Sequence, residues 1–207
     1  QALALMNHPN VAQIYDAGTT RDGAPFFAME HVPGVPITRY ADQHQLGVEA
    51  RLRLFLEVCG AIQHAHRRGI LHRDIKPSNV LIAELAEGPT PKVIDFGLAK
   101  ALSGELGADP LQTRFGVLLG TPSYMSPEQC TLGGPPLDTR TDVYGLGALL
   151  YELLAGSPLF EAPTDAAMLS QISECVVQLT KIQRLHVPEE VRAILEQAKL
   201  SSVFPMA

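Results

Sequence analysis

The stretch His72-Arg73-Asp74-Ile75-Lys76-Pro77-Ser78-Asn79 decides how the rest of this chain is interpreted. It places a carboxylate, an ammonium group and an amide close together, from Asp74 to Asn79. Because Pro77 blocks a continuing helix, we expect a loop held between regular elements. This arrangement suits chemistry that needs an oriented hydroxyl, a neutralising charge and a metal.

Regular elements are predicted on both sides of this loop. Apolar residues at spacings of three and four predict a helix over residues 51–68, and Gly69 is placed to end it. After the loop, residues 80–82 and 92–94 are typical of two short strands, which we expect the turn-rich segment 84–91 to join.

The first part of the chain is predicted to be a small β structure. Residues 11–17 and 25–32 have the pattern of two strands around a glycine-containing turn, which indicates a hairpin. The sequence Pro33-Gly34-Val35-Pro36 is expected to break regular structure. We therefore divide the chain into residues 1–34, the end of a small β lobe beginning with the last turns of a helix, and residues 35–207, a larger helical lobe.

The later part is predicted to be mainly helical. Residues 141–155 are apolar nearly all round, which indicates a helix in the middle of the core. Further helices are expected over 166–179 and 188–200, and a short one begins at Ser126-Pro127-Glu128. Residues 98–119 have no sustained period, which predicts a loop, and a loop of this length in a compact domain is usually functional or mobile.

Composition excludes several classes of function. The formal net charge is -6 and no basic run exceeds two residues, so we expect no nucleic-acid surface. The three cysteines lack paired spacing, which argues against zinc sites and disulfides and favours a cytoplasmic location. No apolar run is long enough for a membrane segment.

Three motifs in order now point to a family. His72-Arg73-Asp74 with Asn79, Asp95-Phe96-Gly97 and Ser126-Pro127-Glu128 resemble the catalytic half of a eukaryotic-type Ser/Thr protein kinase, in its bacterial style. The resemblance implies an α+β, protein-kinase-like fold, with a remnant of the small β lobe followed by a mainly α-helical large lobe. It also implies transfer of phosphate from ATP to Ser or Thr of a protein substrate.

The resemblance assigns roles around the central loop. Asp74 would accept the proton of the substrate hydroxyl, and Lys76 would neutralise charge on the transferred phosphoryl group. Asn79 and Asp95 supply hard oxygens suited to Mg²⁺. His72 is expected to be a hydrogen-bonding scaffold rather than a base.

The resemblance also places the adenine of ATP at the connection between the lobes. There the Glu30 carbonyl and the Val32 N–H would bond the adenine edge. Met29 would line the back of the pocket and Leu81 its floor.

Other residues are assigned to activation and substrate binding. Arg73 would pair with a phosphorylated residue of the long loop, which offers Ser103 and Thr113; we expect Thr113. Thr121 would help to present the substrate, and Glu128 would pair with a downstream arginine. Asp142 has two interpretations, a bond to the backbone of the central loop or a helix N-cap.

The glycine-rich loop and strand lysine that grip the phosphates of ATP are absent from these 207 residues. We therefore expect them upstream, and we expect little phosphotransfer by this chain alone. Two other functions stay open. One is a pseudokinase-like scaffold or decayed fragment. The other is a small-molecule phosphotransferase, although such enzymes generally lack the Ser-Pro-Glu element.

Overall fold

In a computed structural model of the chain, the structure describes residues 6–22, 25–96, 122–130 and 136–173. The helices and strands in these residues follow in chain order: β1 (Ile14–Thr19), β2 (Pro25–Met29), β3 (Gly34–Pro36), α1 (Ile37–Gln43), α2 (Val48–His66), β4 (Val80–Leu85), β5 (Gly88–Val93), α3 (Thr139–Ala155) and α4 (Asp165–Ser173). Short 3-10 turns lie at Pro77–Asn79, Pro122–Tyr124 and Pro127–Gln129.

The predicted hairpin is present. Strands β1 and β2 pair antiparallel, with a register shift between Ile14 and Asp16. The segment before β1 pairs instead with β5, since the Ala12 N–H donates to the Val93 carbonyl (2.9 Å). The hairpin is therefore tied directly to the sheet that follows the central loop.

The expectation that residues 33–36 break regular structure is wrong. Gly34–Pro36 forms β3 and pairs antiparallel with β4, placing Gly34 opposite Ala83. Because β3 is an edge strand of the β3-β4-β5 sheet, a proline that lacks an N–H can be accommodated in it. The domain boundary after residue 34 stays a prediction.

The turn-rich segment predicted over residues 84–91 is also mostly strand. Strand β4 continues to Leu85 and β5 begins at Gly88, so the connection is shorter than predicted. Pro89 and Pro91 lie within β5, opposite Glu84 and Ile82. Again the prolines occupy the edge of the sheet, where a missing donor costs little.

The helices around the central loop agree closely with prediction. Helix α2 begins at Val48, three residues before the predicted start, and Gly69 follows its end with a φ of 72°. This left-handed conformation is the one glycine adopts without steric cost. Helix α1 was not predicted, although Ile37, Tyr40 and Ala41 are buried at helical spacing.

The main core lies between the helices and the three-stranded sheet. Helix α3 is buried on nearly all sides, as predicted, and it packs on α1 and α2. Among the described residues, the largest side chains that are fully buried are Phe55, Ile37, Ile62, Ile82, Leu149, Leu150, Leu153, Ile172, His72, Val58, Val80 and Val93. A smaller cluster around Phe160, Met168 and Ile172 packs α4.

Several predictions concern residues outside the described ranges: the first helix, the loop 98–119 and the helix 188–200. The described part of the helix expected over 166–179 is α4. None of the helices in the described residues has the length and apolarity needed to cross a membrane.

Two glycine substitutions test the edge strand. A Cβ at position 34 would lie 2.5 Å from the backbone oxygen of Ile82, so Gly34→Ala should lower the free energy of unfolding by about 2 kcal/mol. Gly60 is exposed within α2 and a Cβ there meets nothing within 4 Å, so Gly60→Ala should raise it by about 1 kcal/mol. Urea unfolding measures both, and equal effects of the two variants would contradict the pairing of β3 with β4.

Candidate active site

The side chains of the central loop converge on Asp74. Lys76 Nζ lies 2.8 Å from Asp74 Oδ2. Asn79 Nδ2 donates to the same oxygen (3.0 Å) and to the Asp74 carbonyl (2.8 Å). The Asp74 side chain nevertheless keeps 39% of its surface exposed, so the carboxylate is oriented by two neighbours and still accessible from solvent.

Strand pairing brings the second acidic residue close to this loop. Val80 lies opposite Val93, and the Ile94 N–H donates to the Asn79 carbonyl (2.9 Å). Asp95 follows directly, exposed and with a φ of 57°. Because Asn79 Nδ2 donates to Asp74, Asn79 Oδ1 is the side-chain atom available to a metal. Asp95 offers a carboxylate one residue after Ile94, whose N–H bonds the Asn79 carbonyl.

His72 is fully buried and both ring nitrogens have partners. Nε2 donates to the Ile94 carbonyl (3.0 Å), and Nδ1 accepts the Asp74 N–H (3.3 Å). Burial lowers the pKa of His72, and the surrounding carboxylates only partly oppose this. The ring, packed on Phe96 at 4.6 Å, is therefore a neutral connection between the central loop and the segment that carries Asp95.

Asp142, in the first turn of α3, joins three parts of the fold. Its Oδ2 accepts the His72 N–H (2.8 Å) and His66 Nε2 (2.7 Å), and its Oδ1 accepts the Arg73 N–H (2.7 Å). Burial opposes ionisation of this carboxyl, but these donors outweigh it and lower the pKa of Asp142. The N-cap interpretation of Asp142 is wrong, because Asp138 caps α3.

Arg73 has a left-handed backbone, with a φ of 65°. Its carbonyl accepts a hydrogen bond from Gln129 Nε2 (2.8 Å), while its N–H donates to Asp142. Its Nε is buried without a hydrogen-bond partner among the described residues. The guanidinium thus has a buried donor that the described part of the chain does not satisfy.

The residues predicted to line the adenine site share one apolar cluster. Met29, Val32 and Leu81 pack together with Ala12 and Ala83. The cluster lies where β2, the residues after it and β4 meet, at the junction between the hairpin and the larger sheet. The fold therefore brings Leu81, which follows the central loop, to Met29 and Val32, which precede it.

The Glu30 side chain is occupied by the protein itself. Its carboxylate accepts the Gln13 N–H (3.0 Å) and forms an ion pair with Lys92 (3.0 Å). Burial opposes ionisation, but these two contacts together lower the pKa of Glu30. The Glu30 carboxylate is therefore engaged within the protein, and the contact of the Glu30 carbonyl with adenine stays a prediction.

Glu128 accepts a hydrogen bond from Thr141 Oγ1 (2.7 Å), which joins the Pro127–Gln129 turn to α3. The sequence offers Arg184 and Arg192 as its downstream partners, and both lie outside the described residues, as do Thr113, Thr121 and Gly97. In the described ranges, no group of three or more His, Cys, Asp or Glu side chains could hold a metal. A cation bound by Asn79 and Asp95 would need further oxygens from a ligand.

Two contributors were missed from sequence. No role was predicted for His66, yet its Nε2 donates to Asp142 Oδ2. Gln129 was not singled out, although Ser126-Pro127-Glu128-Gln129 has the Ser-x-x-Gln pattern of a capping box, which the structure contains. That pattern would have predicted the cap but not the bond to Arg73.

Comparison with known proteins shows the family. Residues 1–202 match the protein kinase domain. The chain belongs to the protein kinase family. This kinase chain is 39% identical over 164 residues to the serine/threonine-protein kinase pkn3 of Myxococcus xanthus, covering 78% of this chain and 29% of the relative. It is 40% identical over 176 residues to the DNA damage-responsive serine/threonine-protein kinase RqkA of Deinococcus radiodurans. This match covers 83% of this chain and 25% of the relative.

The kinase chain therefore spans less than a third of either relative. Its fold is similar to that of Rad53 1-466 in a crystal structure with AMP-PNP, with a TM-score of 0.69 at 23% identity, over 95% of this chain and 47% of that one. These matches confirm the predicted resemblance to bacterial Ser/Thr protein kinases and the predicted α+β fold.

Replacing Asp142 tests how far the loop depends on it. Asp142→Asn should lower the free energy of unfolding at neutral pH by about 3 kcal/mol, because an amide nitrogen would face N–H groups that now donate to a carboxylate. Urea unfolding measures the loss. Asp22→Asn, at an exposed turn, is the matched control and should leave the free energy of unfolding nearly unchanged.

The unfolding free energies of wild type and Asp142→Asn should also depend differently on pH. Because the pKa of Asp142 is lower in the folded state, its stabilising contribution is complete above the unfolded value of about 4 and is lost as the pH falls through the folded value. The difference in unfolding free energy between wild type and Asp142→Asn should therefore shrink below about pH 4. A difference that stays constant as the pH falls well below about 4 would show that the carboxylate charge contributes nothing.

Proposed function

We propose that this kinase chain supplies the catalytic loop for transfer of the γ-phosphoryl group of ATP to Ser or Thr of a protein. The observation that carries the proposal is the arrangement of Asp74, oriented by Lys76 and Asn79 yet 39% exposed. A carboxylate held in one direction and open to solvent can accept the proton of an incoming hydroxyl. Lys76 Nζ lies 2.8 Å from Asp74 Oδ2, where it can neutralise negative charge that develops on the transferred phosphoryl group.

Asn79 and Asp95 would bind Mg²⁺ together with the phosphates, since the donor set consists of hard oxygens and is too small to enclose the ion alone. When bound, Mg²⁺ neutralises charge on the phosphates and helps to align them. The adenine would lie on the cluster of Met29, Val32 and Leu81, with its edge against the backbone of Glu30 and Val32. A cytoplasmic location and the absence of nucleic-acid partners stay predictions.

The transfer should depend on parts that these 207 residues do not contain. Catalysis of this kind is mostly positioning, and neither the glycine-rich loop nor the strand lysine is present in the sequence. We expect the chain alone to transfer phosphate poorly. A chimera in which the corresponding segment of an active bacterial Ser/Thr kinase precedes residue 1 should transfer it efficiently.

The chimera gives a direct test of Asp74. Asp74→Asn keeps the size and removes the proton acceptor, so transfer of labelled phosphate from ATP to a Ser/Thr peptide mixture should fall at least about 100-fold. Asp22→Asn should leave transfer unchanged. A chimera that folds and binds ATP but transfers no phosphate would favour the scaffold alternative. Transfer that persists in Asp74→Asn would reject the proposed role of Asp74.

We also propose that phosphorylated Thr113 pairs with Arg73. The buried Nε of Arg73, unsatisfied by the described residues, supports this, because a phosphate offers strong acceptors to a guanidinium. Ser103 is the other candidate in the same loop.

Phosphopeptide mapping of the active chimera should find phosphate on Thr113. Thr113→Ala should then lower kcat about tenfold or more, since an unpaired Arg73 orders the loop less well, and Ser103→Ala should have little effect. Finding neither residue modified in active protein would reject the proposal.

A further inference from the structure

The Gln129 side chain uses both ends of its amide. It is only 5% exposed, at the end of the Pro127–Gln129 turn. Oε1 accepts the Ser126 N–H (3.0 Å) and the Ser126 hydroxyl (3.2 Å), while Nε2 donates to the Arg73 carbonyl (2.8 Å). One buried amide thus joins the turn to the central loop, 56 residues away in sequence.

The hydrogen bond from Gln129 Nε2 is accepted by the peptide group between Arg73 and Asp74. The carbonyl of this peptide belongs to Arg73 and accepts from Gln129, and its N–H belongs to Asp74 and donates to His72 Nδ1 (3.3 Å). Both polar atoms of the peptide plane are therefore engaged. Since Arg73 has a φ of 65°, which non-glycine residues rarely adopt, this peptide needs such contacts to keep its orientation.

A cap alone would not require this arrangement. The Ser126 capping box uses the Oε1 of residue 129, and a glutamate serves that purpose as well as a glutamine. Only an amide can accept from Ser126 and at the same time donate to the Arg73 carbonyl at neutral pH. The donor on Nε2 therefore points to a second role.

We propose that Gln129 is a positioning residue, which orients Asp74 by holding the peptide between Arg73 and Asp74. The proposal rests on the proposed function of Asp74. It also makes the geometry of the central loop depend on the turn that follows the segment carrying Thr113 and Thr121. A displacement of that turn would act on Asp74 through a single hydrogen bond.

The decisive variant is Gln129→Glu, which keeps the capping box and removes the donor. In the chimera at neutral pH, kcat should fall about tenfold or more, because a buried carbonyl then faces a carboxylate. The KM for ATP should stay within about twofold, since Gln129 does not line the proposed adenine cluster. Gln63→Glu, on the exposed face of α2, adds the same charge and should change neither constant.

The pH profile separates positioning from general damage. A buried carboxyl beside a carbonyl has a raised pKa, and its protonated form can donate where the amide did. The contribution is present while the carboxyl is protonated and is lost as the pH rises through the raised pKa. The kcat ratio of Gln129→Glu to wild type should therefore rise as the pH is lowered, and a pH-independent ratio would overturn the proposal.

Hydrogen exchange gives a readout that needs no catalysis. In the 207-residue chain, Gln129→Met should speed exchange of the Arg73 and Asp74 amides about tenfold or more, and leave the amides of α2 unchanged. Unchanged exchange at both amides would reject the role of Gln129. If the chimera with Asp74 intact transfers no phosphate, the proposed function fails, and this measurement still decides whether Gln129 orients the loop.

Discussion

The fold around the site depends on one buried carboxylate. Asp142 is 1% exposed, and such a charge is tolerated only when donors replace the water it has lost. Those donors are His66 on α2 and the backbone N–H groups of His72 and Arg73. The start of α3, the end of α2 and the central loop must therefore meet at a single point, because losing any donor leaves part of the charge unsatisfied.

The contact of Asp142 with the central loop also helps to position the Asp74 carboxylate. The Arg73 N–H is fixed by Asp142, its carbonyl by Gln129 and the next N–H by His72, so the chain enters Asp74 along a defined path. Lys76 and Asn79 then orient the Asp74 carboxylate. Arg73 keeps a left-handed backbone conformation here because the surrounding hydrogen bonds fix it.

The strands contribute the other half of the site. Pairing of β4 with β5 sets Val80 against Val93, so the chain segments that carry Asn79 and Asp95 leave the sheet side by side. The same sheet provides Leu81 to the apolar cluster that Met29 and Val32 complete. This register thus places the expected cation ligands and one residue, Leu81, of the expected adenine surface.

Local signals in the sequence were sufficient for the central loop, the hairpin, α2 and α3, because hydrophobic period, proline and glycine act over a few residues. The proline-containing strands β3 and β5 were not predictable in this way. Their prolines are acceptable only because tertiary structure puts both strands at sheet edges. Likewise Asp138 and Asp142 are equivalent candidates for an N-cap by local rules. Only the fold, which brings amides from about seventy residues upstream to Asp142, assigns the cap to Asp138 and the buried charge to Asp142.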